Sequence, residues 1–330
     1  SGDKRILKTH FDRMKRYVDY MTSMSTGDTV SFGLGDWCPP NTGGEIAPTK
    51  LTSTAYYYAN CRILAGIADL LGKTSDREYY SLLATKIKAA FNKEFYDPAD
   101  GRYADGGQTS QACTLFQDIV PHAEREKVLS RLISSIAETD NHPGFGILGA
   151  KYVLNVLTDS GRADLAYKMV TQTTYPSWGH WIEQGATTLW ETWEGKASLN
   201  HIMFGDVSSW MFKTLAGIAP DYDHPGFQHF ECRPHVLGDV TWVKAEHKTM
   251  YGRIQSDWKI GADSLEYHVE IPVNTAARVF LPARDQESVS ESGRPVTEAD
   301  GVAVVGMEDG CLVMEVGSGE YDFEVAFKAS

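Results

Sequence analysis

Between Trp178 and Gly195 the chain sets two glutamates, Glu183 and Glu191, on either side of a Gly-Ala-Thr-Thr turn, among Trp178, Trp181, Trp190 and Trp193. Half of the eight tryptophans therefore fall between positions 178 and 193. An indole offers a flat apolar face and one polar handle, which suits either the edge of a core or the face of a sugar ring. Glycoside hydrolysis uses two carboxyl groups, one protonated to release the leaving oxygen and one ionised to activate water or attack the anomeric carbon. A tryptophan-rich wall supplies the dry setting that keeps one of them protonated. Glu191, between Trp190 and Thr192, is the first candidate for one of the pair; its structural alternative is a helix-face glutamate paired with a lysine or arginine. Glu183 is the alternative catalytic carboxylate, and it could equally hold a substrate hydroxyl or a loop. Glu194, next to Gly195, is the weakest of the three.

Two further groups of residues fit the same chemistry. In Phe32 to Cys38, glycines at 33 and 35 let the backbone turn, so that Asp36 and Trp37 are expected to project together from a loop. An aspartate grips sugar hydroxyls while the ring covers the apolar sugar face; the alternative is an Asx-type turn with Trp37 as a core plug. Glu45 is another loop carboxylate. In Ser198 to Asp206, Asn200 and His201 stand before a final helix, where a neutral histidine can donate to or accept from a sugar hydroxyl. An ordinary histidine packed under Trp190 is the competing reading, and Asp206 reads as an N-cap or first-turn residue.

Other chemistries find less support. The ten histidines form no HExxH, and His201, His224, His229 and His235 lack ligand-like spacing with cysteines, so no metal or other cofactor is expected. Ser177 and Ser209 lack a nucleophile elbow. Pro143-Gly144-Phe145-Gly146 has neither the full glycine pattern nor the lysine of a phosphate loop. The formal charge of -13 argues against nucleic acid or an anionic membrane surface as a partner. No run of 18 apolar residues occurs, and the five cysteines form no CxxC pair.

These residues need elements to position them. From Ile6 to about Pro220 the apolar spacing is helical, with segments near 6–21, 52–71, 76–91, 109–116, 123–138, 145–157, 163–171 and 206–215. Short links between them imply antiparallel helical hairpins. After Pro220 the period falls to two, with strands at 240–246, 252–260, 264–271, 276–280, 311–316 and 319–327. The charged stretch Asp285 to Asp300 reads as a mobile excursion within the β-domain. The expected architecture is mainly α with a C-terminal all-β domain: an α/α toroid lacking its first helices over residues 1–225, then a β-sandwich over 226–330.

Gly35-Asp36-Trp37, the run from Gly185 to Trp193, Ser198 to Gly205 and Pro225-Gly226-Phe227 together resemble glycoside hydrolase family 78, the α-L-rhamnosidases, over essentially the whole chain. The resemblance implies an (α/α)6 toroid followed by a β-sandwich, and hydrolysis of terminal α-L-rhamnosyl linkages with inversion. It implies Glu191 as the general base, in a carboxyl pair standing roughly 6.5–9.5 Å apart. It implies that Asp36 and Trp37 line the sugar subsite and that His247 reaches the sugar from the β-domain; Trp181, Trp190 and His201 join them as substrate-binding candidates from the residue pattern itself. The family also carries, upstream, Asp-Cys-Pro-x-Arg-x-Glu and then Gly-Trp-x-Gly-Asp, whose glutamate is the general acid; residues 1–330 hold no such segment. The chain is therefore expected to be the C-terminal part of a longer enzyme, with that enzyme's N-terminal part and a rhamnose-containing glycoside as its partners. The contrasting expectation is a non-catalytic carbohydrate-binding or structural protein that retains a sugar cleft.

Overall fold

Among the described residues, apolar residues at helical spacing become nine α-helices, the first eight of which pack largely between neighbours in sequence. The computed structural model describes residues 2–40 and 47–326. Two compact units divide the chain, one over Asp3–Val207 and one over Ser208–Ser330 with the first two residues.

In the first unit, α1 (Arg5–Met24) turns Phe11, Val18 and Met21 inward, and α2 (Thr49–Leu70) buries residues on nearly every side. Helix α3 (Thr74–Phe95) follows after a turn in which Gly72 takes φ +69°, the left-handed geometry that ends many helices. A short hairpin of β1 (Tyr96–Asp97) and β2 (Arg102–Tyr103) leads to α4 (Gln108–Phe116). Helices α5 (Arg125–Ala137), α6 (Ile147–Asp159), α7 (Ala163–Val170) and α8 (Trp178–Glu183) complete the set. α2 packs on α1 and α3, and α4 on α5 and α6, as short connections dictate. None of the described helices is long and apolar enough to cross a membrane.

A ninth helix, α9 (Asp206–Trp210), continues as one wider π turn through Leu215. The second unit is then all β. Its strands are β3 (Ile218–Pro220), β4 (His229–Cys232), β5 (Trp242–Lys248), β6 (Arg253–Ile260), β7 (Ser264–Ile271), β8 (Ala276–Pro282), β9 (Val289–Glu291), β10 (Arg294–Pro295), β11 (Val302–Glu308), β12 (Cys311–Val316) and β13 (Gly319–Ala326). They form a six-stranded sheet, β10-β9-β13-β7-β6-β5, and a five-stranded sheet, β11-β12-β8-β4-β3. Alternation sends Leu265, Tyr267 and Val269 of β7 and Tyr321, Phe323 and Val325 of β13 inward, where they join Phe230, Leu281 and Met314 of the other sheet.

Asp285 to Asp300 is not a loose excursion. β9 pairs with β13, and Val289 and Val296 are 2% and 1% exposed, so the stretch is anchored in the core by two apolar side chains. Of the last expected strand, Phe327 lies outside the described residues.

Candidate active site

Trp178 and Trp181 lie three residues apart on α8 and so share a face. Ser177 caps that helix, its Oγ accepting from the His180 amide at 2.9 Å. The shared face points into an aromatic cluster: Trp193 lies 5.2 Å from Trp178, 4.9 Å from Trp181 and 4.5 Å from Phe204 between ring centroids. Each buried indole N–H is satisfied internally. Trp178 donates to the Phe204 carbonyl (3.2 Å), Trp181 to that of Trp193 (2.9 Å) and Trp193 to that of Phe145 (2.9 Å).

Trp181, at 2% exposure, packs in the core, where the sequence reading expected a residue that contacts the substrate. Trp190 remains half-buried, with its ring 5.8 Å from Trp181 and laid over Gly195. A Cβ at Gly195 would stand 2.5 Å from the Trp190 ring, and Gly195 has φ +66°, so only glycine fits beneath that indole.

Glu191 sits on a small ladder that closes the loop from Leu189 to His201. Its amide donates to the Ser198 carbonyl (2.9 Å), the His201 amide donates to that of Leu189 (2.8 Å), and the Thr188 hydroxyl donates to that of Leu199. The half-buried Glu191 carboxylate accepts from the Ser198 amide through Oε2 at 3.1 Å, and among the described residues Oε1 has no hydrogen bond. Glu183 ends α8, exposed. Glu194 accepts from the Tyr175 hydroxyl at 2.7 Å. His201 is half-buried, and its Nδ1 is a buried polar atom with no partner among the described residues. Such an atom calls for a water or ligand hydroxyl.

The loop from Phe32 to Cys38 approaches this ladder. Burial, then the charges of Glu191, Glu194 and Asp36, push the Cys38 thiol up to about 11. Asp36 and Trp37 do not project together. Trp37 is 54% exposed and Asp36 3%, on a backbone that bends at Asp36 between the positive-φ residues Gly35 and Cys38.

Asp36 instead holds the start of α6. Its Oδ2 accepts from the Gly146 amide (2.8 Å) and the Thr109 hydroxyl, and its Oδ1 from the amides of Leu148 (2.8 Å) and Gly149 (3.2 Å). The Trp37 carbonyl takes the Ile147 amide at 2.8 Å. A carboxylate at this position satisfies first-turn amides and meets the positive end of the helix dipole. Burial pushes its carboxyl up, against the four hydrogen bonds. Asp36, expected to project toward a sugar, thus docks the segment carrying Trp37 and Cys38 onto the start of α6. Gly146, Gly149 and Thr109 make that docking, and the glycines that bracket the start of α6 were the only trace of it in the sequence.

His247 lies on β5 in the second unit, half-buried, with its ring 4.7 Å from Phe227. Glu45 lies outside the described residues.

Residues 1–215 match the bacterial α-L-rhamnosidase six-hairpin glycosidase domain, and residues 217–295 the bacterial α-L-rhamnosidase C-terminal domain. An α-L-rhamnosidase of Streptomyces avermitilis is 33% identical over 98% of this chain and 31% of its own length; one from Formosa agariphila is 29% identical over 99% and 37%. The solved structure of the Streptomyces avermitilis α-L-rhamnosidase complexed with L-rhamnose superposes with a TM-score of 0.90 at 32% identity, covering 98% of this chain and 31% of that one. The α-L-rhamnosidase from Dictyoglumus thermophilum does so with 0.90 at 36% identity, over 98% and 37%. The helical region followed by an all-β domain is the architecture these structures share with it. The chain spans about a third of the length of the curated relatives it matches, and it belongs to the bacterial α-L-rhamnosidase family.

Proposed function

We propose that the chain forms part of an α-L-rhamnosidase that hydrolyses terminal α-L-rhamnosyl linkages with inversion, and that Glu191 is its general base. The observation that carries this reading is the Glu191 carboxylate itself. Ser198 N–H holds Oε2, while among the described residues Oε1 and the His201 Nδ1 of the same loop ladder have no hydrogen-bond partner, which leaves Oε1 for a water. A base held from one side presents its other oxygen in a fixed direction, which in-line attack of water on the anomeric carbon requires. Trp37 and Trp190 supply exposed indole surface for the sugar, and His201 a ring nitrogen for a hydroxyl. His247 remains a candidate from the β unit, and Glu183 the alternative base.

The general acid, on this reading, comes from sequence outside residues 1–330. The other two carboxylates whose charge reaches Cys38 are engaged elsewhere: Glu194 accepts from Tyr175, and Asp36 is enclosed by four donors. A base without its acid still acts on substrates whose leaving group needs no proton. Residues 1–330 should therefore turn over a dinitrophenyl α-L-rhamnoside measurably and a methyl α-L-rhamnoside not at all, with β-L-rhamnose as the first anomer seen by NMR. Glu191→Gln should slow the activated substrate by about 10²–10⁴-fold, while Trp37→Ala should chiefly weaken rhamnose binding. Equal rates on both substrates would refute the external acid, and an unchanged rate for Glu191→Gln would pass the base role to Glu183. Rhamnose binding with no turnover of either substrate would favour a non-catalytic sugar-binding protein.

A further inference from the structure

In the second unit, the loop entering the β domain brings Asp221, His224 and His229 together, and Oδ2 of Asp221 faces both imidazoles. His224 Nδ1 stands 2.8 Å from it and His229 Nδ1 2.7 Å. The opposite oxygen, Oδ1, accepts the Asp223 amide at 2.8 Å, a local turn that fixes which edge of the carboxylate meets the rings. The three candidate donor atoms lie within 4.8 Å of one another.

A second contact gives this cluster its meaning. On its far side, His229 Nε2 stands 3.1 Å from Glu315 Oε2 on β12. The cross-strand neighbour of Glu315 is Arg278, whose guanidinium bonds Glu308 instead at 3.0 Å, so this carboxylate edge is left to the histidine. Both nitrogens of His229 thus face carboxylates. A neutral imidazole has one N–H, so it presents a lone pair to one of these carboxylates. A metal ion removes that conflict. Nδ1 then gives its lone pair to the ion, and Nε2–H donates to Glu315, the carboxylate–histidine–metal relay that orients a ligating ring and raises its basicity.

We propose that Asp221, His224 and His229 bind one zinc-type divalent transition cation, with Glu315 positioning His229. Two imidazole nitrogens and one carboxylate oxygen suit zinc and its neighbours and exclude a preference for calcium or magnesium, which take all-oxygen sets. Bonds of about 2.0–2.1 Å to a tetrahedral ion would put the donors roughly 3.3 Å apart. The present 2.7 and 2.8 Å would have to open by about half an ångström, and the exposed His224 ring, on a loop, is free to supply the movement. Three protein ligands leave the fourth position to water. The ion would tie the loop after β3 to β4, and through Glu315 to β12.

The test is zinc titration of the chelator-treated 330-residue protein by calorimetry, with cobalt as a spectroscopic probe. Expected are one equivalent of zinc, a rise in Tm with zinc, and a cobalt spectrum free of thiolate charge-transfer bands. His224→Ala and Asp221→Asn should abolish these responses, and Glu315→Gln should weaken zinc binding about 10–100-fold. Calcium and magnesium should give none. His224 is exposed, so its alanine variant keeps the fold and stays informative if a His229 variant does not express. Absence of saturable zinc binding by the wild-type chain overturns the proposal. So does binding that His224→Ala leaves intact, or a cobalt spectrum showing cysteine ligation.

Discussion

Cys38 reports on the neighbourhood of Glu191 from inside the loop that carries Trp37. Its φ is +56°, its side chain is half-buried, and burial together with the Glu191, Glu194 and Asp36 charges lifts its thiol to about 11. Only the thiolate alkylates, so at pH 8 the reactive fraction is on the order of one in a thousand. Glu191→Gln removes one of those charges and should lower the thiol pKa, so Cys38 should react faster with iodoacetamide at fixed pH, read as the labelling rate of its peptide. An unchanged rate would mean that the loop from Phe32 to Cys38 and the ladder carrying Glu191 are not neighbours. The crowding of glutamates and indoles around Glu191 was visible in the sequence, because composition alone reveals it. Which indoles face inward was harder. The i, i+3 spacing of Trp178 and Trp181 held that information, since two bulky apolar groups on one short helical face seek burial before they serve a ligand.

Loop placement depends on the close fit at the start of α6. A Cβ at Gly146 would meet the Trp37 carbonyl at 2.1 Å and the Asp36 carboxylate at 2.8 Å, and backbone cannot yield as a flexible side chain can. Gly146→Ala should cost about 1–3 kcal/mol by overpacking and shift the Asp36–Trp37 segment, lowering both Tm and rhamnose affinity. Normal values of both would show that the segment docks elsewhere. Helices of eight residues or more were legible from spacing, with ends displaced by a few residues. β3, β4, β9, β10 and β11 were not. Four of these have only two to four residues, too few for a period of two to show, and Gly306 interrupts β11 where its register with β12 shifts. The Asp221–His224–His229 cluster escaped for another reason: its histidines were weighed against cysteines, whereas their partners are carboxylates, one of them 86 residues from His229.

At the scale of the whole chain, two separate cores should behave as two cooperative bodies. The Trp181 and Trp193 cluster stabilises Asp3–Val207, and the Phe230, Leu281 and Phe323 cluster stabilises Ser208–Ser330. Calorimetry of the 330-residue chain should then resolve two transitions, because a single two-state description fails when units carry their own cores. Trp181→Ala should cost about 3–5 kcal/mol and Leu281→Ala about 2–5 kcal/mol, each lowering the midpoint of its own transition by on the order of 10 °C. The helical unit holds Trp37, Trp178, Trp181, Trp190 and Trp193, so tryptophan fluorescence should follow mainly the transition that Trp181→Ala moves. Zinc should raise only the other transition, since a ligand stabilises the unit whose native state binds it. One transition lowered equally by both substitutions would make the chain a single cooperative body.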